Sequence, residues 1–195
     1  MKKVLHIRSS IKEENSVSRK IGDDLISHLK STDKVKVSER DLVDNSVEHI
    51  NPDFINAMAN NNQDKLTTSN KLIEELFEND IIVIESPMYN FSIPSTLKSW
   101  IDNIMIARKT FLYTANGPEG LVKNKKAILV LSKGNIYSKG AAKPLDFQEN
   151  YLRTILNFIG INDITVICAE GVDLNAEIRE KSLKQVEQQI KDLTL

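Results

Sequence analysis

A serine-rich segment, residues 9–18, has the composition of a phosphate-binding loop. It carries four serines and no glycine, and apolar residues with helical spacing follow it. Serine hydroxyls and the free backbone N–H groups at a helix N-terminus can together bind a phosphate monoester, because the helix dipole favours an anion there. The simpler interpretation is that Ser16 or Ser18 caps the helix. The fingerprints G-x-G-x-x-G and G-x-x-x-x-G-K-[ST] are absent from the chain, which argues against a dinucleotide or triphosphate loop.

Residues 87–95 combine a methionine, two aromatic residues and an asparagine directly after an apolar run. A planar ring could pack against Met88, Tyr89 and Phe91, while Asn90 and backbone groups bond to its polar edge. A turn whose aromatic side chains fold back onto the core is an equally simple interpretation. The segment therefore becomes informative only together with its neighbours.

A third polar segment, residues 132–137, follows another apolar run and reads S-K-G-N-I-Y. Gly134 gives the backbone freedom there, so exposed N–H groups could donate to the carbonyl oxygens of a heterocycle. Taken alone, this is an ordinary turn between a strand and a helix. One loop suited to a phosphate and two suited to a flat ring together indicate a flavin mononucleotide, FMN, better than a dinucleotide.

Short apolar runs precede each of these loops. Residues 4–8, 81–84, 127–131 and 164–169 are continuous runs rich in β-branched residues, which is typical of parallel strands covered on both faces. Residues 34–40 instead alternate between polar and apolar positions and predict an edge strand. The chain therefore contains five predicted strands.

Stretches with helical spacing lie between these runs. Their apolar positions are Ile21, Leu25, Leu29, Leu72, Ile73, Leu76, Phe77, Leu97, Trp100, Ile101, Ile104, Met105, Leu152, Ile155, Leu156, Ile159, Leu183, Val186, Ile190 and Leu193. Asn51 and Pro52 have the types expected at an N-cap and in the first turn of a further helix. The alternation predicts one α/β domain over residues 1–195, with a five-stranded open parallel sheet in three layers. A flavodoxin-like strand order, 2-1-3-4-5, places the ligand beyond the carboxyl ends of the strands, where the three loops lie.

The composition excludes several classes of protein. The 195 residues include 26 basic and 27 acidic ones, so no basic excess indicates a nucleic-acid partner. The single cysteine, Cys168, can form neither an internal disulfide nor a zinc site by itself, and its apolar neighbours predict an inert buried thiol. No apolar run approaches the ~18 residues of a membrane span, and the first residues do not read as a secretory signal. We therefore expect a cytoplasmic protein that does not enter a membrane.

The chain resembles the FMN-dependent NADH-azoreductases, a branch of the flavodoxin-like quinone reductases. The matching motifs are S-S-I-K-E-E-N-S-V-S at 9–18, P-M-Y-N-F at 87–91, Y-T-A-N-G-P-E-G-L at 113–121, S-K-G-N at 132–135, F-I-G-I at 158–161 and A-E-G at 169–171. They span nearly the whole chain in order, and the second and third are specific signals.

The resemblance implies a homodimer with two FMN sites at the subunit interface. NADH or NADPH would reduce FMN, leave, and be replaced by a quinone or azo compound. By position, the resemblance implies that the phosphate of FMN is bound by Ser10, Ser16, Val17 and Ser18. The isoalloxazine ring would be flanked by Met88, Tyr89, Asn90 and Phe91. Its polar edge would be contacted by Ser132, Lys133, Gly134 and Asn135. Tyr113 and Phe158 are the expected walls of the substrate pocket, although interface or core positions would explain them equally. The flavin carries the hydride, so no side-chain acid or nucleophile is expected.

The loop at residues 132–135 departs from the family pattern, which often reads S-R-G-G. Asn135 stands in place of a glycine, and asparagine is among the few other residues that tolerate left-handed backbone angles. Lys133 replaces a fork-shaped donor with a point charge. We therefore expect FMN binding to persist, with altered access or redox potential near this loop.

Three other functions fit the residues less well. A hydrolase would need a G-x-S-x-G elbow or histidines at metal-ligand spacing, and His6, His28 and His49 provide neither. A signalling receiver would need an acidic pair after the first strand and an aspartate at the end of the third, where this chain has Ser9-Ser10 and Glu85-Ser86. A flavodoxin-type electron carrier is the closest alternative, but a net charge of −1 gives no support for docking charged protein partners.

Overall fold

The computed structural model describes residues 1–12, 14–60 and 62–195. In these residues the main sheet has five parallel strands, and a separate antiparallel hairpin lies between the third and fourth of them along the chain. The sheet strands are β1 (Lys2–Arg8), β2 (Val35–Asp41), β3 (Ile81–Pro87), β6 (Lys126–Lys133) and β7 (Asp163–Glu170), and the hairpin strands are β4 (Phe111–Thr114) and β5 (Gly117–Gly120). The predicted five-stranded parallel sheet is confirmed.

The spatial order of the sheet is β2-β1-β3-β6-β7, which agrees in kind with the predicted order 2-1-3-4-5 but differs from it in the numbers of the last two strands. The hairpin is the reason, because its strands are the fourth and fifth along the chain. Each hairpin strand has four residues, and β5 reads G-P-E-G. Such short segments with glycine and proline give no strand signal in a sequence. The five runs predicted as sheet strands lie in the expected arrangement.

Burial along the strands follows their place in the sheet. All seven residues of the central strand β3 are buried, and so are seven of the eight in β6. The edge strand β2 alternates between half-buried and exposed residues over its first four positions, as predicted. Its parallel register with β1 pairs Arg8 with Asp41 at the carboxyl end, where the serine-rich loop begins.

Helices cover both faces of the sheet. Their bounds are α1 (Val17–Thr32), α2 (Pro52–Ala59), α3 (Thr67–Glu78), α4 (Ser95–Ile104), α5 (Phe147–Ile159) and α6 (Ala176–Lys191), with short 3-10 segments at Gln63–Leu66 and Gly140–Leu145. Helices α1 and α6 pack on one face, and α3, α4 and α5 pack on the other. Asn51 caps α2 by accepting from the Phe54 N–H, with Pro52 in the first turn, as predicted. No helix formed by the described residues is both long and apolar enough to cross a membrane.

Two glycines hold the hairpin against the end of α5. A Cβ at Gly120 would lie 2.2 Å from the backbone nitrogen of Gly160, which leaves room only for glycine. Gly160 has a φ of 106° and ends α5 in the left-handed conformation. Val122 then donates its N–H to the carbonyl of Ile159 at 2.8 Å. The motifs Y-T-A-N-G-P-E-G-L and F-I-G-I, far apart in the sequence, are therefore in contact.

Candidate functional site

Three serine hydroxyls converge at the N-terminus of α1, beyond the carboxyl end of β1. Ser16 Oγ donates to Ser10 Oγ at 2.9 Å and lies 3.3 Å from Ser18 Oγ. Ser16 also caps α1, because its Oγ accepts from the Arg19 N–H at 3.3 Å. The capping interpretation is therefore confirmed for Ser16, and it is compatible with anion binding because hydroxyl protons can rotate toward a new acceptor. Glu13, within the serine-rich motif, lies outside the described residues.

Arg19 is not among the predicted site residues, yet its side chain bonds to the backbone of this loop. Its Nε and Nη2 donate to the carbonyl oxygen of Ser10 at 3.2 and 2.8 Å. The guanidinium also binds both carboxylate oxygens of Asp41, with Nη2 3.1 Å from Oδ1. Burial would raise the pKa of Asp41, but hydrogen bonds from Arg19 and from the Val43 N–H outweigh it and lower that pKa. The one hint in the sequence is a basic residue directly after S-V-S.

A tight turn presents the aromatic residues of the second loop. The Tyr89 N–H donates to Ser92 O at 2.9 Å, and the Ser92 N–H donates to Tyr89 O at 3.0 Å. Between them Asn90 and Phe91 have φ values of 48° and 69°, in the left-handed region. Asparagine is favoured in such a hairpin turn, whereas phenylalanine is strained there. Phe91 is 46% exposed, so the interpretation that the aromatic residues fold back onto the core is wrong for Phe91.

The three predicted loops meet at one edge of the sheet. The hydroxyl of Tyr89 lies 3.4 Å from Ser10 Oγ, which joins the tight turn to the serine cluster. The Met88 N–H donates to the carbonyl of Ser132 at 2.8 Å, which joins the same turn to the third loop. These loops follow β1, β3 and β6, whose carboxyl ends lie side by side. The position is the one expected for the ligand site of an open parallel sheet.

The side chain of Lys133 is buried among carboxylates. It is 2% exposed, and its Nζ lies 2.7 Å from Asp146 Oδ2 and 3.4 Å from Glu170 Oε1. Burial would lower the pKa of Lys133, but the neighbouring acidic groups outweigh it and raise that pKa. Glu170 accepts in turn from the N–H groups of Tyr137 and Ser138. Lys133, which was expected at the polar edge of a bound ring, therefore forms ion pairs within the protein.

Gly134 and Asn135 pair through their backbone with the segment that follows β7. The carbonyls of Gly134 and Asn135 accept from the N–H groups of Asp173 and Gly171, each at 3.1 Å. A Cβ at Gly134 would lie 2.7 Å from Oδ2 of Asp173, the end of an exposed side chain that can move aside. Asn135 has no positive φ, so its tolerance of left-handed angles is not used. Its Oδ1 accepts instead from the Ile136 N–H at 2.7 Å.

The start of α5 is tied to the second loop by residues that the sequence did not single out. The Phe147 N–H donates to the carbonyl of Phe91 at 3.1 Å. The buried amide of Gln148 donates to the carbonyl and Oγ of Ser86 at 2.9 and 3.1 Å. Asp146, the N-cap of α5, had a recognisable signal as a capping residue before a helical stretch. Gln148 had none, because its partner lies 62 positions away.

The two residues expected to wall a substrate pocket are joined through a third aromatic ring. The ring centroid of Phe111 lies 5.6 Å from that of Tyr113 and 4.8 Å from that of Phe158, both edge to face. Tyr113 is 73% exposed on the hairpin. Phe158 is partly buried against the core. Tyr113 is therefore open to a ligand or to another chain. Phe158 contacts the core, as expected from the alternative interpretation that it is a core residue.

The histidines are engaged in hydrogen bonds within the fold. His6 is buried with its Nε2 2.5 Å from Glu85 Oε1, and His28 lies 3.3 Å from a backbone carbonyl. His49 Nδ1 lies 2.8 Å from Ser99 Oγ, but Ser99 is 2% exposed and is not accessible as a nucleophile. In the part of the chain that the structure describes, no group of His, Cys, Asp and Glu has the geometry to hold a metal ion.

The chemistry of the donors fits a phosphate attached to a flat heterocycle. A hydroxyl cluster at the N-terminus of a long helix suits a phosphate dianion, because hydrogen-bond donors and the helix dipole act together. The adjoining turn offers a methionine, aromatic side chains and an exposed amide, which suit a ring with an apolar face and a polar edge. FMN has both parts.

Known proteins of similar sequence and structure agree with this arrangement. The model of the flavodoxin-like fold family matches residues 2–193. The "FMN-dependent NADH:quinone oxidoreductase" of Francisella philomiragia subsp. philomiragia is 94% identical over 195 residues, which is 100% of both chains. The "FMN-dependent NADH:quinone oxidoreductase 1" of Idiomarina loihiensis is 41% identical over 98% of this chain and 100% of that relative.

Solved structures of this fold include the FMN-dependent NADH-azoreductase from Bacillus anthracis in complex with FMN. It is 27% identical, has a TM-score of 0.87, and the match covers 98% of each chain. The azoreductase from Bacillus anthracis str. Sterne is 25% identical with a TM-score of 0.89, over 99% of this chain and 100% of that one. The chain therefore belongs to the flavodoxin-like fold family and, within it, to the FMN-dependent NADH:quinone oxidoreductases.

Proposed function

We propose that this chain is an FMN-dependent oxidoreductase that uses NADH to reduce quinones and azo compounds. The observation that carries the proposal is the contact between the serine cluster and the tight turn, where the Tyr89 hydroxyl lies 3.4 Å from Ser10 Oγ. This contact puts donors for a phosphate beside a surface for a flat ring. The names of the relatives and of the solved azoreductases support the choice of reductant and acceptors.

The phosphate is bound at the N-terminus of α1. Ser10, Ser16 and Ser18 donate through their hydroxyls, and Val17 donates through its backbone N–H. No lysine or arginine needs to touch the phosphate, because the aligned N–H groups of the helix already favour an anion there. The support for this assignment is that Ser16 Oγ lies within hydrogen-bond distance of both Ser10 Oγ and Ser18 Oγ.

The isoalloxazine ring lies against Met88, Tyr89, Asn90 and Phe91. Residues 132–135, which include Ser132, Gly134 and Asn135, contact its polar edge. Lys133 acts through its ion pairs, which hold the loop in place from the interior. The left-handed turn at residues 90 and 91 supports this assignment, because it directs an amide and an aromatic ring away from the core.

When bound, FMN would supply the redox chemistry, hydride transfer between a nicotinamide and the acceptor. The chain itself positions the ring, shields one side of it and leaves space for one co-substrate at a time. Because the two co-substrates bind one after the other in the same space, the kinetics are ping-pong. Tyr113 and Phe158 line the acceptor side, and NADPH is the alternative reductant.

Two copies of the chain complete the site. Large apolar side chains near the second loop and on the hairpin are exposed, including Phe91 at 46%, Tyr113 at 73% and Phe147 at 56%. Aromatic residues of this kind are enriched at protein interfaces. Each copy contributes one FMN-binding domain over residues 1–195, and the cytoplasm is the proposed location. Sedimentation of the active protein as a monomer would contradict the dimer.

Purification and reconstitution test the function. The purified protein should be yellow, should release FMN on denaturation, and should oxidise NADH directly when a small quinone is supplied. A colourless protein that does not take up FMN would overturn the proposal. A protein that binds FMN but needs a separate reductase to oxidise NADH would instead be the flavodoxin-type electron carrier.

A further inference from the structure

The guanidinium of Arg19 joins the phosphate loop to the end of strand β2. Arg19 is 9% exposed and lies in the first turn of α1, with its side chain directed behind the loop. Nε and Nη2 donate to the carbonyl of Ser10, at 3.2 and 2.8 Å. Nη1 and Nη2 donate to the two carboxylate oxygens of Asp41. All three guanidinium nitrogens are therefore engaged within the protein.

These contacts fix the position of the serine hydroxyls. The carbonyl of Ser10 is held by two donors from one rigid group, so the Ser10 backbone has little freedom to rotate. Its Oγ accepts from Ser16 Oγ at 2.9 Å, and Ser16 Oγ accepts in turn from the Arg19 N–H. Arg19 thus bonds to both serines of that contact: its side chain bonds to Ser10, and its backbone N–H bonds to Ser16.

Asp41 fixes the guanidinium from the other side. Its Oδ1 also accepts from the Val43 N–H at 2.9 Å, which holds the carboxylate in place at the end of β2. The Arg8–Asp41 register and the bond from the Leu42 N–H to the Arg8 carbonyl, at 2.9 Å, tie this strand end to the start of the loop. The positive charge of Arg19 is neutralised by Asp41, so its effect on a phosphate acts through the loop's geometry.

We propose that Arg19, oriented by Asp41, is a positioning residue for the phosphate subsite and sets the preference of this chain for FMN over riboflavin. The proposal rests on the proposed function, because it presupposes that the serine cluster binds the phosphate of FMN. It concerns a residue whose guanidinium nitrogens are all engaged by Ser10 and Asp41. Its loss should therefore weaken binding of the phosphorylated flavin and leave binding of the ring nearly unchanged.

The test compares two ligands on the apoprotein of several variants. FMN and riboflavin are titrated while the quenching of flavin fluorescence is followed, and thermal melting of each apoprotein is recorded. Arg19→Lys keeps the charge but cannot bridge Ser10 and Asp41 with a planar fork. Arg19→Gln with Asp41→Asn removes both charges together and keeps an acceptor for the Val43 N–H. Arg40→Lys is the matched control, because Arg40 lies beside Asp41 on strand β2 and forms a similar two-point ion pair with Glu75 of helix α3.

We expect both Arg19 variants to raise the Kd for FMN by about tenfold or more while the Kd for riboflavin changes by less than about twofold, given what a charge-assisted hydrogen bond contributes. The Arg40 variant should leave both constants unchanged. Equal losses for the two ligands, or no loss for either, would overturn the role of Arg19. If the double variant does not fold, Arg19→Lys decides the question by the same criterion. A wild-type protein that does not prefer FMN to riboflavin would contradict the phosphate assignment itself, which is a different result.

Discussion

The ammonium nitrogen of Lys133 lies 2.7 Å from Oδ2 of Asp146, whose other carboxylate oxygen caps helix α5. The same ammonium lies 3.4 Å from Glu170, which accepts from the N–H of Tyr137 at 3.0 Å. Asp146 lies at the end of the segment between β6 and α5, and Glu170 bonds to the start of that segment. This segment borders the flavin-binding edge of the sheet in the proposed site. Lys133 thus links the two ends of this segment through its ion pairs.

Replacement of the buried cation should destabilise the protein. We expect Lys133→Met to lower the free energy of unfolding by about 3 kcal/mol, because it leaves the buried Asp146 and the partly buried Glu170 without their cation. Urea unfolding followed by circular dichroism measures the change. Lys123→Met is the matched control, since Lys123 forms an exposed pair with Glu119 that should contribute less than about 0.5 kcal/mol. The network has no structural role if the two variants lose the same stability.

Lys133→Arg should keep most of that stability, because an arginine carries the same charge and occurs at this position in the family pattern. Its fork can reach Asp146 and Glu170 together. The flavin absorbance of this variant should resemble that of the wild-type protein. A loss as large as that of Lys133→Met would mean that the pocket accepts only an ammonium group.

Asn90 combines an exposed amide with a left-handed backbone, at a φ of 48°. We expect Asn90→Ala to weaken flavin binding or to slow hydride transfer, because it removes a polar group from the proposed ring site and adds backbone strain of about 1 kcal/mol. Asn90→Gly separates these effects, since glycine adopts this conformation without strain. Flavin titration and stopped-flow reduction by NADH measure both steps. Unchanged affinity and turnover in both variants would remove Asn90 from the site.

Gly22 lies in α1 where a side chain would collide with Glu85. A Cβ there would be 1.7 Å from Oε1 of Glu85, and His6 holds that carboxylate at 2.5 Å. Gly22→Ala gains about 1 kcal/mol in helix propensity but should cost about 1–3 kcal/mol in overpacking, so we expect a net loss of stability. In a Glu85→Ala background, Gly22→Ala should be stabilising. Urea unfolding of the four proteins gives the answer, and a stabilising Gly22→Ala in the wild-type background would refute the collision.

Cys168 should be an unreactive thiol in the native protein. Burial raises its pKa to about 12, and only the thiolate reacts with a disulfide reagent. Relative to the urea-unfolded chain, we expect the native reaction at pH 8 to be roughly a thousandfold slower and to accelerate about tenfold per pH unit up to pH 10. Absorbance after addition of Ellman's reagent follows this reaction, and Cys168 is the one cysteine in the chain. The Cys168 side chain is partly buried against the core, not fully buried as expected, and equal native and unfolded rates would contradict an inert thiol.

Local sequence determined the five strands of the main sheet, the helices and the three loops of the proposed site. Residues 81–84 and 127–131 are continuous apolar runs because both faces of β3 and β6 are covered, and such a pattern can be read without any knowledge of partners. Asn51 and Pro52 likewise act on their own helix. The order of the parallel strands then brought the three loops to one edge, as the general rule for open sheets requires.

Tertiary structure alone decided what the side chains do at that edge. Arg19 meets Asp41 from 22 positions away, and Lys133 meets Glu170 from 37 positions away. The hairpin β4-β5 was missed because its four-residue strands carry no strand signal, and Gly120 has its function only against Gly160, which is distant in the sequence. Periodicity and capping depend on neighbours within one or two turns of the chain, whereas the direction of a buried charge depends on which carboxylates the completed fold places around it.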